Sequence, residues 1–153
     1  MIRHLELVAR LRAPREEVWR AVTSFDGIAE EMGPWLKMTA PRRVRSLADL
    51  DVRPGERLFR SWILLFGRVP IDFSNLTLVS IEEGRRFVEE SPMGSMRRWR
   101  HARELEDGDA PGTTVLTDTL DFEPRFAAPI VAAIVGRFFA HRHAALARRF
   151  GVV

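Results

Sequence analysis

Cysteine is absent from all 153 residues, which removes disulfides, thiolate nucleophiles and thiolate-ligated zinc or iron–sulfur centres together. A reducing, cytoplasmic setting is the expectation. The longest uncharged apolar run lies between Arg125 and Arg137 and is interrupted by Pro129. That is well short of the roughly 20 residues that cross a bilayer, so no membrane insertion is expected. The opening Met1-Ile2-Arg3-His4-Leu5-Glu6 places an acid where a secretory signal needs an unbroken apolar stretch, and no export is expected. No glycine-rich phosphate loop runs from a strand into a helix, and no Gly-x-Ser-x-Gly elbow occurs, which argues against nucleotide and serine-hydrolase chemistry. The four histidines, His4, His101, His141 and His143, do not show two-His-plus-carboxylate spacing on one face, so neither a metal nor another cofactor is expected.

What is present is ordinary globular material, 46% hydrophobic and 29% charged, too apolar for disorder. Without a repeat, low-complexity tract or linker, residues 1–153 read as one domain, able to bury roughly 70% of its unfolded surface. Net charge is +3 while the isoelectric point is about 10.7, because Lys37 is the only lysine and every other basic residue is arginine. Arg42-Arg43-Val44-Arg45 and Arg97-Arg98-Trp99-Arg100 have the composition of a nucleic-acid contact. Acids are scattered nearly as densely and no nucleic-acid motif accompanies them. A solvated sheet face is the expectation, with no nucleic-acid partner.

Apolar periodicity sorts the elements. Leu5, Leu7, Ala9 and Leu11 alternate with polar residues as in a half-buried strand. Pro14 to Val22 then reads as a short helix with Glu16 and Glu17 near its positive end. A second short helix follows, capped by Asp26 and stopped by Gly33-Pro34. Turn residues divide the next stretch into strands at 41–47, 57–66, 69–81, 85–91, 96–106 and 113–123, an antiparallel meander that with the first strand makes seven. From Phe126 to Phe150, Val131, Val135, Phe138, Phe139 and Leu146 form a helical stripe, with Gly151 just past its end. The expected fold is α+β, a curved antiparallel sheet wrapping a long C-terminal helix with space between the layers.

The pattern resembles the SRPBCC superfamily of START domains, birch-pollen-allergen-like proteins and polyketide cyclases, the helix-grip fold. The resemblance covers nearly the whole chain. It rests on Ala13-Pro14-Arg15-Glu16-Glu17-Val18-Trp19, on Trp99-Arg100-His101 followed by Gly112-Thr113-Thr114 and Thr117-Asp118, and on Phe138-Phe139-Ala140-His141-Arg142-His143. The last two look like a bacterial ligand-binding subgroup. The resemblance implies a hydrophobic cavity for a lipid, polyketide or other small apolar molecule, and only sometimes catalysis. Where that subgroup has a second histidine two residues after the first, this chain has Arg103, which weakens any chemistry requiring both imidazoles.

The strand from Met96 to Glu106 puts Trp99, His101, Arg103 and Leu105 on one face, and the next puts Leu116, Asp118, Leu120 and Phe122 on one face. A turn near Asp109-Ala110 sets His101 opposite Asp118, Trp99 near Leu120 and Arg103 near Leu116. A carboxylate beside an imidazole can orient a general base, anchor a ligand oxygen, or simply satisfy itself as a buried pair. His101 and Asp118 are thus candidate catalytic residues, with none firm. Arg142 falls within the apolar stripe and could reach a ligand carboxylate, pair with Asp118 or extend to solvent. His141 and His143 lie off the stripe and should be solvated. Trp35, Met38, Trp62, Phe73 and Met93 are candidate cavity walls, Trp62 foremost. The candidate ligand-binding set is therefore Trp62, Phe73, Trp99, His101, Arg103, Asp118, Leu120, Val135, Phe138 and Arg142. Three functions fit: a binding protein for a small hydrophobic molecule, acting as monomer or homodimer; a cofactor-free polyketide cyclase or aromatase; or a protein-interaction domain with a vestigial cavity.

Overall fold

Alternation along the chain builds the sheet. The computed structural model describes residues 1–153, beginning with β1 (Arg3–Leu11), α1 (Arg15–Thr23), α2 (Phe25–Met32) and a short β2 (Leu36–Met38). The meander follows as β3 (Arg57–Leu65), β4 (Val69–Glu82), β5 (Arg86–Glu90), β6 (Met96–Asp107) and β7 (Thr114–Pro124), and α3 (Ala128–Phe150) closes the chain. The strands form one curved antiparallel sheet in the order β1-β7-β6-β5-β4-β3-β2, so each meander strand neighbours the next and β1 docks on β7. In β7 every second residue from Thr114 to Pro124 is buried, the period-2 signature of a sheet with one covered face.

Two expectations about the path are corrected. Residues 41–47 form no strand: Pro41 has no N–H for a ladder, and Ser46 with Asp49 closes a capping box around a single helical turn, Leu47–Asp49, which sends Leu47 into the core. The seventh strand is instead β2. The helix α2 is capped by Ser24, whose hydroxyl accepts from the Gly27 amide at 3.0 Å, and Asp26 lies within the first turn. Gly27 is where α2 meets α1, since a Cβ there would sit 1.9 Å from the Ala21 carbonyl oxygen. No other residue permits that approach.

The β6–β7 hairpin corrects the register. Arg103 lies opposite Asp118, His101 opposite Leu120 and Trp99 opposite Phe122, each two residues from expectation. The loop closes through the Gly108 amide on the Thr113 carbonyl at 2.9 Å, with Gly112 at φ 74°. Its centre therefore falls one residue later than Asp109-Ala110. A one-residue shift of a turn moves the register by two, which preserves the facing of every side chain. The inward sets were thus predicted correctly although their partners were not.

Inward residues group into two apolar cores. One contains Leu11, Val18, Leu105, Leu116 and Leu146, and the other Met96, Leu120, Phe122, Val135 and Phe139. Each of β6, β7 and α3 contributes to both. Leu116 is fully buried in the first core. Leu116→Ala should cost about 2–5 kcal/mol, measured as a lower guanidinium midpoint with unchanged m-value; a loss below about 0.5 kcal/mol would contradict this packing.

Candidate functional site

Between the two cores lies a layer of charge. On β7 Asp118 sits between Leu116 and Leu120; on β6 Arg103 and His101 sit between Leu105 and Trp99; on α3 Arg142 and His143 sit between Phe139 and Leu146. The α2 helix adds Glu31, buried one turn after Gly27. Sheet and both helices thus meet through polar contacts at this level.

Asp118 is the hub. Its Oδ1 accepts from Arg103 Nε at 2.8 Å and from His101 Nε2 at 2.7 Å, and its Oδ2 accepts from Arg103 Nη2 and His143 Nε2, both at 2.7 Å. Burial alone pushes this carboxyl up, but Arg103 and then His101 outweigh it and hold Asp118 well below its ordinary value. Arg103 is its counterpart: burial disfavours its charge, yet Asp118 and then Glu31 more than compensate and raise it. Arg103 Nη1 donates to Glu31 at 2.8 and 3.1 Å, and Arg142 Nε adds a longer bond to the same carboxylate at 3.3 Å. For Arg142 burial prevails over Glu31, with repulsion from Arg103 adding to it, and its pKa is lowered.

The tautomers follow. An ionised carboxylate only accepts, so His101 and His143 each carry hydrogen on Nε2. Neutral His101 then presents Nδ1 as a free lone pair, 3.8 Å from Glu89 Oε1. Glu89 itself accepts from the Ser91 hydroxyl at 2.6 Å.

Two cavities adjoin this layer. The larger, about 200 Å³, lies between α3 and the sheet and is walled by Met96, Trp99, Val135, Phe138 and Phe139. The smaller, about 70 Å³, extends under α1 and α2 among Val22, Ala29, Phe59 and Leu76. Met38, Glu89, His101 and Arg142 border both, so the charged layer presents one polar wall to two apolar chambers. Ile71 and Ile134 line the larger chamber yet are 54% and 61% exposed. They mark its mouth, between β4 and α3.

Of the expected ligand-binding residues, Trp99, His101, Val135, Phe138 and Arg142 border the larger chamber, as do Met38 and Met93. Arg103 and Asp118 are fully buried behind His101 and border neither chamber, because their mutual bidentate pairing consumes them. Leu120 is sealed in core. Trp62 is 44% exposed, and Phe73 pairs with it across β3 and β4 on the same face, the rings 5.8 Å apart. Neighbouring Ser61 and Ile63 are the buried residues of β3, so Trp62 faces outward; apolar residues on both faces of that strand hid its direction. Trp35 is likewise exposed and rests on Phe66.

His143 is not solvated: it binds Asp118, and His141 bonds the Gly33 carbonyl at 2.7 Å. Glu31, Glu89 and Ser74 were not anticipated. His143 was detectable as the residue four after Phe139, on the same helix face.

Residues 9–150 match the family described as a domain of unknown function, DUF8410. The chain belongs to that family. No curated protein matches it. Among solved structures, the DUF8410 chain is similar to protein CV1439 from Chromobacterium violaceum, with TM-score 0.71 and 15% identity, covering 98% of this chain and 99% of that one. It is similar to a START superfamily protein from Mycobacterium smegmatis, with TM-score 0.66, 13% identity and 96% of each chain covered. The Zhui aromatase/cyclase from Streptomyces sp. R1128 aligns at TM-score 0.67 and 16% identity, over 95% of this chain and 92% of that one. These similarities establish the SRPBCC-like, helix-grip fold.

Asp118→Asn removes half the negative charge facing Arg103 and Arg142, and should destabilise by about 3–5 kcal/mol at pH 7. Because the folded Asp118 value lies below its ordinary 3.8, its contribution is present above the unfolded value and is lost as pH falls toward and through the folded one. Melting curves should show the wild-type advantage shrinking below about pH 4. A difference constant from pH 7 to pH 2 would refute the hub.

Proposed function

We propose that residues 1–153 act as one binding domain for a small hydrophobic molecule held between sheet and α3. The observation that supports this most is the larger chamber itself: apolar on most sides, open at Ile71 and Ile134, and polar where His101, Glu89 and Arg142 meet it and at Asp72, Ser74 and Ser95. Apolar walls with a few convergent polar groups are the usual construction of a small-molecule site. A domain whose cavity were vestigial would have closed it with its aromatic side chains, yet Trp62 turns outward and Trp99 stands at the wall. The similarity to a START superfamily protein and an aromatase/cyclase fits the same function.

Val135 is 8% exposed and borders the chamber. Saturating naphthalene should raise the melting temperature of the wild type by a few degrees, since a ligand that binds only the folded state stabilises it. Val135→Phe should cancel the shift by filling the space. A wild type indifferent to naphthalene would sink the proposal.

A second function, as a cofactor-free cyclase or aromatase, is favoured by one particular: His101 borders the chamber with Nε2 held by Asp118 and no hydrogen bond on Nδ1. An imidazole so placed can abstract a proton from the carbon between two carbonyls of a bound poly-carbonyl chain. His101→Gln should then lower turnover of a poly-β-ketone thioester by about 10²–10⁴-fold with binding retained. Equal product yields from both proteins would leave binding alone.

A further inference from the structure

Two groups on the larger chamber's wall carry hydrogen-bond donors that the protein leaves unused, and together they describe what the chamber takes. The first is the outer edge of Arg142. Its Nε donates to Glu31 at 3.3 Å, but its two terminal nitrogens make no hydrogen bond to the protein. The guanidinium carbon lies 5.0 Å from the centre of the Phe139 ring, an arrangement that supports the group from one side. Its countercharge is shared: Arg103 holds Glu31 with shorter bonds at 2.8 and 3.1 Å. The result is a buried cation, incompletely compensated, with a planar pair of donors unused. Carboxylates match that pair in shape and charge.

The second group is the Ser74 hydroxyl. Ser74 is 1% exposed, borders the same chamber, and its Oγ has no protein partner. The neighbouring hydroxyls are all engaged: Ser61 with the Thr39 carbonyl, Ser91 with Glu89, and Ser95 with Asp72. Buried hydroxyls are almost always satisfied, so Ser74 is the exception on this wall.

We propose that the ligand is an apolar carboxylic acid carrying a second oxygen, its carboxylate on the Arg142 fork and its second oxygen on Ser74 Oγ. The proposal rests on the chamber being a ligand site, as argued above. Two carboxylates border the chamber, and neither competes for Arg142: Glu89 is held by Ser91 and faces His101, and Asp72 accepts from the Ser95 hydroxyl and amide and the Phe73 amide. Arg142 is the only arginine or lysine on that wall. An acid entering carboxylate first therefore meets a cation whose terminal nitrogens are unused at the chamber's polar side, while its hydrocarbon body covers Trp99 and Phe138.

Titration calorimetry of the full chain with naphthalene, 2-naphthoate and 6-hydroxy-2-naphthoate separates these elements on one skeleton. 2-Naphthoate should bind at least tenfold tighter than naphthalene, and 6-hydroxy-2-naphthoate several-fold tighter again. Arg142→Lys keeps the charge but loses the fork and should cut the naphthoate preference to below threefold. Ser74→Ala should remove the gain from the hydroxyl without lowering the melting temperature, because it deletes a group that bonds to nothing in the protein. Equal affinity for naphthalene and 2-naphthoate, or a naphthoate preference undiminished in Arg142→Lys, would overturn the acid while leaving the chamber a ligand site. A hydroxyl gain that survives Ser74→Ala would overturn the second contact. Failure of all three compounds to bind would overturn the chamber and the acid together.

Discussion

The structure depends on one carboxylate that can no longer accept another hydrogen bond. Asp118 receives four donors from three side chains on two elements, and being fully buried it can be ionised only because they are there. Removing water from such a charge is expensive, and the pairing that offsets it is geometrically strict. That strictness orders the site: Arg103 must lie flat against β7, His101 must present Nε2 backwards, and His143 must reach down from α3. The same network fixes how far α3 stands from the sheet at that level.

A polar layer between two apolar cores also explains why there are chambers at all. Leu116 and Leu120 pack into different clusters although only four residues apart on β7, because the inward residue between them, Asp118, admits no hydrocarbon contact. Above the layer, the aromatic side chains Trp99, Phe122, Phe138 and Phe139 pack edge to face or tilted at 6.0–6.2 Å. Those geometries satisfy the rings' quadrupoles but do not bring α3 down onto the sheet. The space left against β2 and β4 is the larger chamber. That chamber is about 200 Å³ and opens to solvent between β4 and α3.

Period-2 and period-3.6 patterns carried the architecture well, because both report which side of an element is apolar, and that is settled within each element. Pairing partners were less legible. Turning the β6–β7 hairpin one residue later kept Asp118 and Arg103 inward but made them direct partners, which converted an expected His–Asp pair into an Arg–Asp pair with two histidines attached. Long-range contributions were nearly invisible: Glu31 reaches Arg103 across 72 positions of sequence, and nothing local distinguishes it from Glu30, which forms an exposed pair with Arg149. Trp62 failed for a different reason, since Ser61-Trp62-Ile63-Leu64 is apolar on both sides and periodicity has no phase to report.

The hub also limits what His101 can do. An imidazole whose Nε2–H is held by an ionised carboxylate cannot release that proton without stranding Asp118 against a bare nitrogen, so any proton exchanged with a bound molecule must pass through Nδ1. Gaining one there places the protonated ring between Asp118 and Glu89, 2.7 and 3.8 Å away. Losing it to the ligand restores the resting tautomer. The geometry therefore permits a base that takes a proton and returns it at the same atom, which suits moving hydrogen within one bound molecule. It does not suit relaying protons to solvent, because the far side of the ring faces the fully buried Arg103–Asp118 pair.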